Sequence, residues 1–99
     1  MHNSDIRKQI SDLVGADQDV LNQIIILEVD EFANGFIGLS IDNRAIYSYT
    51  RLVDSLSRAN KWSTDDAIEW LEYNTIRSLP YMGAKAPIIV HEPLEYPTA

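Results

Sequence analysis

Residues 62–83 read WSTDDAIEWLEYNTIRSLPYMG and decide the fold. Side chains that suit a helix core recur here every three or four positions, as on one buried face: Ala67, Ile68, Leu71, Thr75, Ile76 and Leu79. Ser63 is a good N-cap, because its hydroxyl oxygen can accept hydrogen bonds from the free N–H groups of the first turn. Pro80 cannot donate the next helical hydrogen bond. The pattern therefore predicts one long helix over residues 63–79, on which the rest of the chain packs.

The same helix carries carboxylates and aromatic rings beside its buried stripe. Its acidic residues are Asp65, Asp66, Glu69 and Glu72. The first two suit the positive end of the helix dipole, and the other two lie off the stripe. We therefore expect these carboxylates to face water. Trp70 and Tyr73 flank the stripe, and large amphipathic rings serve both at the rim of a core and on partner surfaces, so their role stays open.

The first part of the chain predicts a helix and then a buried strand. Residues 3–14 form the helix, with Asn3 or Ser4 as its cap. The polar connection that follows has room for one helical turn begun by Asp17. Residues 23–29 (QIIILEV) are largely apolar and rich in β-branched side chains, which predicts a strand at the centre of a sheet.

Two more strands are predicted to form a hairpin, at 36–41 and 45–49. The residues between them, 42–44, are Asp-Asn-Arg, and Asp and Asn tolerate the left-handed backbone that a tight turn needs. Gly38 inside the first of these strands predicts a bulge or a close backbone approach.

The rest of the chain adds a helix over 49–59, the main helix and a last strand at 88–91, for which the strand at 23–29 is a candidate partner. The predicted order is α-β-β-β-α-α-β. This order indicates one α+β domain over residues 1–92, with a mainly antiparallel sheet of about four strands and helices packed on one face. Residues 93–99 contain two prolines and predict an extended tail.

Composition excludes several classes of function. With 99 residues the chain is expected to form one domain, and without cysteine it has no disulfide, zinc–thiolate site or thiol nucleophile. Its net charge is −7, from 15 acidic and 8 basic residues. Because the basic residues are scattered, we expect no direct binding to nucleic acid. No signal-peptide pattern or bilayer-length apolar run is seen, so we expect a cytoplasmic protein without membrane contact.

Residue patterns that carry catalysis are scarce. The histidines are His2, near the terminus, and His91, at a strand end, and no glycine-rich phosphate loop is present. Glu28, Asp30 and Glu31 form the densest acidic cluster, but their spacing matches no calcium loop. We therefore assign no catalytic, cofactor-binding or metal-ligating residue and expect a protein that is not an enzyme.

The connection at 80–87 is a candidate functional surface. Tyr81 and Met82 are large apolar side chains placed between regular elements, where binding residues often lie. The same side chains could instead close the end of the core, and the sequence leaves both interpretations open.

Three segments together resemble a known group of proteins. They are AIYSYTRLV (45–53), STDDAIEWLEYNTIRSLPYMG (63–83) and APIIV (86–90). The chain resembles a family of small uncharacterised proteins encoded by tailed phages and prokaryotes, from about Phe36 to Val90. That family shows a tyrosine-rich strand before a helix, an acidic helix start with a Glu-Trp-Leu-Glu-Tyr-Asn type motif, and a Pro-Ile-Ile strand. The resemblance implies a phage or prophage setting in a bacterial or archaeal host, and it supplies no catalytic residues.

The expected function is a non-enzymatic protein-binding module, in concrete form an anti-defence, anti-CRISPR-like inhibitor. Its partner would be a host protein, such as a nucleic-acid-binding one. The candidate binding residues are Asp65, Asp66, Glu69, Glu72, Tyr73, Tyr81 and Met82. The alternative is a homo-oligomer that binds or sequesters a small molecule, such as a nucleotide, between its subunits.

Overall fold

The structure is a computed structural model that describes residues 1–15 and 17–92, so the tail predicted at 93–99 lies outside the described residues. Within them, α-helices, 3-10 helices and short strands alternate along the chain. In order they are α1 (Asn3–Val14), α2 (Gln18–Gln23), a first 3-10 helix (Asp30–Gly35), β1 (Phe36–Leu39), β2 (Ala45–Ser48), α3 (Tyr49–Asn60), α4 (Thr64–Asn74), a second 3-10 helix (Ile76–Met82) and β3 (Ile88–Val90). The predicted α+β class is confirmed, although the order differs in detail.

The sheet is mixed and its strand order is β1-β2-β3. β1 and β2 form the predicted antiparallel hairpin, whose turn contains Asn43 with φ of 63°. The ladder shifts register between Phe36 and Gly38, where Gly38 has φ of 155°, so the predicted bulge is confirmed. β3 runs parallel to β2, with Ile88 opposite Ile46. In the described residues the sheet therefore has three strands in a mixed arrangement, and the predicted four-stranded, mainly antiparallel sheet is wrong.

The predicted strand at 23–29 is the missing fourth strand. Residues 24–28 join no sheet, although Ile24, Ile26 and Leu27 are buried. β3 pairs with β2 and not with this segment, which the sequence offered as a candidate partner. The apolar pattern predicted the burial of this segment correctly. Burial alone does not specify which groups form hydrogen bonds with its backbone.

Side chains take the place of a neighbouring strand at this segment. The Leu27 N–H donates to the Tyr47 hydroxyl at 3.0 Å. The Asn3 side-chain amide donates to the carbonyl oxygens of Leu27 and Glu28 at 3.3 and 3.1 Å. Asn3 is therefore not the helix cap that the sequence predicted. His2 is the N-cap of α1 instead, and its N–H donates to the Asp5 carboxylate at 2.9 Å.

The main helix is shorter than predicted. Ser63 caps α4 as expected, since its hydroxyl accepts from the Asp66 N–H at 3.1 Å, but α4 ends at Asn74 and not at Leu79. The chain continues as the second 3-10 helix, which contains Pro80. A proline at this position could not donate to the carbonyl four residues earlier, and its ring would crowd that carbonyl in an α-helix. The tighter 3-10 turns accommodate it.

The core lies between the sheet, α1, α3, α4 and the first 3-10 helix. Its buried apolar members include Ile6, Ile10, Phe32, Phe36, Tyr47, Leu52, Leu56 and Leu71. α3 packs closely on the first 3-10 helix at Gly35, where an added Cβ would lie 2.6 Å from the Leu52 side chain. α4 packs on α3. The face of α4 that points away from α3 therefore lies outside the core.

We predict that Tyr47→Phe destabilises the protein by about 1–3 kcal/mol, because the buried Leu27 N–H loses its acceptor. Urea unfolding measures this change. Tyr81→Phe is the matched control, since it removes the same atom from a side chain that is 90% exposed, and we expect it to be neutral. Equal unfolding free energies for the two variants would contradict the role assigned to the Tyr47 hydroxyl.

We predict that Tyr47→Phe also changes how the free energy of unfolding depends on pH in alkaline solution. Burial raises the pKa of Tyr47 above its ordinary value of 10.0, so the folded state opposes ionisation of this phenol. The contribution of Tyr47 to the free energy of unfolding is therefore fully present below about pH 10. It is lost as pH rises from about 10 through the raised pKa of the folded state. We expect Tyr47→Phe to flatten this fall in unfolding free energy, measured from about pH 8 to 11. Tyr81→Phe should keep the wild-type slope, and an unchanged slope in Tyr47→Phe would contradict the prediction.

Candidate functional site

An open groove lies along the outward face of α4. Its volume is about 320 Å³, and it is lined by Trp62, Asp66, Glu69, Trp70, Tyr73 and Asn74. Three of the residues predicted for a binding surface therefore lie together here, namely Asp66, Glu69 and Tyr73. The groove combines carboxylates with aromatic rings, which is the feature that distinguishes it chemically.

Helical spacing explains why these side chains converge. Positions 66, 69, 70, 73 and 74 follow the i, i+3, i+4, i+7, i+8 pattern of one helix face. This stripe runs beside the buried stripe that contains Ala67 and Leu71. Trp62 comes from outside the helix, just before the Ser63 cap, and closes one end of the groove.

The two tryptophans are held by contacts with the core and with α3. The Trp70 ring packs edge-on against Phe32, with 6.2 Å between ring centroids, and lies 6.2 Å from the Trp62 ring. The Trp62 backbone is fixed on both sides, because its N–H donates to the Ser57 carbonyl at 3.0 Å and its carbonyl accepts from the Ser57 hydroxyl at 2.7 Å. The aromatic wall is therefore built into the fold. Trp70, whose role the sequence left open, serves both as core rim and as groove lining.

The carboxylates of the groove have no ionic partner among the described residues. Asp66 and Glu69 are exposed, and neither belongs to the ion pairs found in residues 1–15 and 17–92. A cation contacts one ring of the groove, since the guanidinium carbon of Arg77 lies 5.0 Å from the centre of the Tyr73 ring. Tyr73 itself is 67% exposed. The groove thus presents negative charge to solvent beside a largely exposed ring that Arg77 contacts on one side.

The remaining predicted binding residues lie outside this groove. Asp65 is exposed on α4 but does not line it. Glu72 is engaged elsewhere, since it accepts a hydrogen bond from the Tyr49 hydroxyl at 2.9 Å. Burial, followed by this bond, raises the pKa of Tyr49. Tyr81 and Met82 lie in the second 3-10 helix; Tyr81 is 90% exposed, which excludes it from closing the core, whereas Met82 is half-buried.

Asp30 and both histidines make structural contacts. Asp30, from the acidic cluster at 28–31, accepts from the Asn3 N–H at 2.9 Å and contacts the His2 ring at 2.7 Å. The Asn3 bond and His2 lower the pKa of Asp30. His91 lies against the Tyr49 ring, with 4.7 Å between centroids. In the described part of the chain, no group of three or more His, Asp or Glu residues is arranged to hold a metal ion.

Comparison of the chain with protein-family models, with curated proteins and with solved structures found no match. Over residues 1–15 and 17–92, none of the helices has the length and apolar character needed to cross a bilayer.

We predict that charge in the groove controls access of small ions to its tryptophans. Asp66→Asn/Glu69→Gln should increase quenching of tryptophan fluorescence by iodide and decrease quenching by caesium at low ionic strength, because these carboxylates repel anions and attract cations locally. Asp65→Asn/Glu72→Gln is the matched control, since it removes the same charges from the same helix outside the groove. Identical quenching in the two double variants would contradict a local effect.

Proposed function

We propose that this chain is a non-enzymatic protein-binding module that uses the outward face of α4 to engage a positively charged surface on a partner protein. One observation carries the proposal: the groove places Asp66 and Glu69 beside exposed aromatic area in one continuous site. Aromatic side chains are common energetic centres of interfaces, and complementary charge sets orientation and association rate.

The charge balance supports a basic partner. The chain carries −7 overall, and the four carboxylates of α4 lie on exposed positions of the same helix. None of the four belongs to the ion pairs found in the described residues. A basic surface approaching α4 would therefore gain attraction without first displacing an internal salt bridge.

The sequence resemblance supplies a biological setting for such a partner. A protein of phage or prophage origin acts in the cytoplasm of its host, where nucleic-acid-handling proteins carry clustered lysine and arginine. An acidic module that covers such a cluster would compete with the phosphate backbone for the same side chains. We propose an anti-defence inhibitor of this kind, with an anti-CRISPR protein as its concrete form.

Charge reversal tests the proposal. The tagged wild type should capture a partner protein from nuclease-treated bacterial lysate in a salt-sensitive way. The variant Asp66→Lys/Glu69→Lys should lose most of this capture, because both carboxylates that line the groove are replaced by cations. Asp12→Lys/Asp19→Lys, with exposed carboxylates on α1 and α2, is the matched control and should retain the partner. Thermal unfolding checks that both variants fold.

Two results would count against the proposal. If α4 reversal leaves capture unchanged, this face is not the docking surface. If the wild type captures no protein and elutes as a discrete oligomer whose melting temperature rises with nucleotide, the homo-oligomeric ligand-binding function replaces it.

A further inference from the structure

We infer that the groove on α4 is a pocket for one arginine side chain of the partner, with its guanidinium stacked on the aromatic wall and paired with Asp66 and Glu69. This inference rests on the proposed function, since it names the chemical group that the docking face takes. It is narrower than that function, because an acidic face could bind a basic surface without any such pocket.

The size of the groove suits a single side chain. Its volume of about 320 Å³ lies at the lower end of the range of ligand pockets, roughly 300–1,000 Å³. It is open to solvent along α4, so a side chain projecting from another protein can enter without movement of the backbone.

The aromatic wall favours a flat cation. A cation is attracted to an aromatic face within about 6 Å of the ring centre, with tryptophan the strongest partner. Trp62 and Trp70 lie 6.2 Å apart, and their rings are inclined by 43°, so they form two adjoining walls. Tyr73 adds a third ring that is 67% exposed. A planar guanidinium can stack on such a ring while its edge N–H groups remain free to donate.

The carboxylates complete the recognition of those N–H groups. Asp66 and Glu69 are three residues apart on one helix face, and both line the groove. Arginine presents five donors in a fixed plane, which allows it to stack on a ring and to pair with carboxylates at once. A lysine ammonium has a point charge and no plane to stack, so the site should prefer arginine. Phosphate and other anions are disfavoured by the same carboxylates.

One contact within the chain demonstrates the chemistry. The guanidinium carbon of Arg77 lies 5.0 Å from the centre of the Tyr73 ring. A guanidinium therefore already lies within cation–π distance of this ring in the structure. Arg77 also places a positive charge next to the groove, which opposes a second cation. Arg77→Gln should consequently tighten binding of an arginine side chain.

The tryptophans provide a direct readout. The chain has two tryptophans, and both line the groove, so intrinsic fluorescence reports on this site. We would titrate the protein at low ionic strength with acetyl-Gly-Arg-Gly-amide, with its citrulline analogue, which is neutral and similar in shape, and with its lysine analogue. The arginine peptide should cause a saturable change with Kd on the order of 1 mM, and the other two should bind at least roughly fivefold more weakly.

Matched variants assign the change to the groove. Asp66→Asn/Glu69→Gln and Tyr73→Ala should each weaken arginine binding by roughly tenfold, whereas Asp65→Asn/Glu72→Gln should change it by less than about twofold. Arg77→Gln should strengthen it by roughly twofold. The substituted side chains are exposed, and far-ultraviolet circular dichroism checks that each variant is folded.

Several outcomes would overturn the inference. The absence of a saturable change excludes an arginine pocket. Equal binding of the citrulline peptide indicates an apolar groove, and equal binding of the lysine peptide indicates an acidic patch without stacking. Loss of the partner in the α4 charge reversal, together with no arginine binding, would retain the proposed function and reject the pocket. Arginine binding together with unchanged partner capture would retain the pocket and reject α4 as the docking surface for that partner.

Discussion

Tyr47 connects the sheet to the rest of the protein. Its side chain is fully buried in the central strand, its ring packs on Phe36 with 5.8 Å between centroids, and its hydroxyl accepts the Leu27 N–H at 3.0 Å. Among the described residues, segment 24–28 has no neighbouring strand, so this hydroxyl supplies a bond that a strand would otherwise supply. A buried N–H without an acceptor costs about 1–3 kcal/mol, a large share of a typical folding free energy of roughly 5–15 kcal/mol.

Local contacts along the chain from β2 through α3 to α4 fix the position of the groove. Ser48 ends β2 and is also the cap of α3, so the direction of α3 is set by the sheet. α3 ends where Lys61 takes a left-handed conformation with φ of 56°. Ser57 then holds the Trp62 backbone through two hydrogen bonds, and Ser63 begins α4. The aromatic wall is therefore positioned by the turn between two helices, and its geometry depends on the core below it.

Local signals predicted the hairpin and the Ser63 cap of α4, because residues such as Asn43 and Ser63 favour a conformation wherever they lie. They did not predict the pairing of segment 24–28. An apolar run indicates burial, while the bonding of its backbone depends on distant side chains. The candidate site was likewise predictable only where it depends on local sequence. Helical spacing identified its exposed carboxylates, but the contribution of Trp62 depends on how α3 and α4 meet.

Charge and aromatic area have different roles at such a site. The carboxylates are exposed, so their attraction for a cation acts through water and is screened over about 8 Å at physiological ionic strength. Each exposed pair contributes only about 0–1 kcal/mol under these conditions. The tryptophans are half-buried and anchored to Phe32 and α3, so a cation stacked on them loses water and gains a contact that salt screens less. In the proposed docking, charge on α4 would therefore govern which surfaces approach, and the rings would govern which of them remain bound.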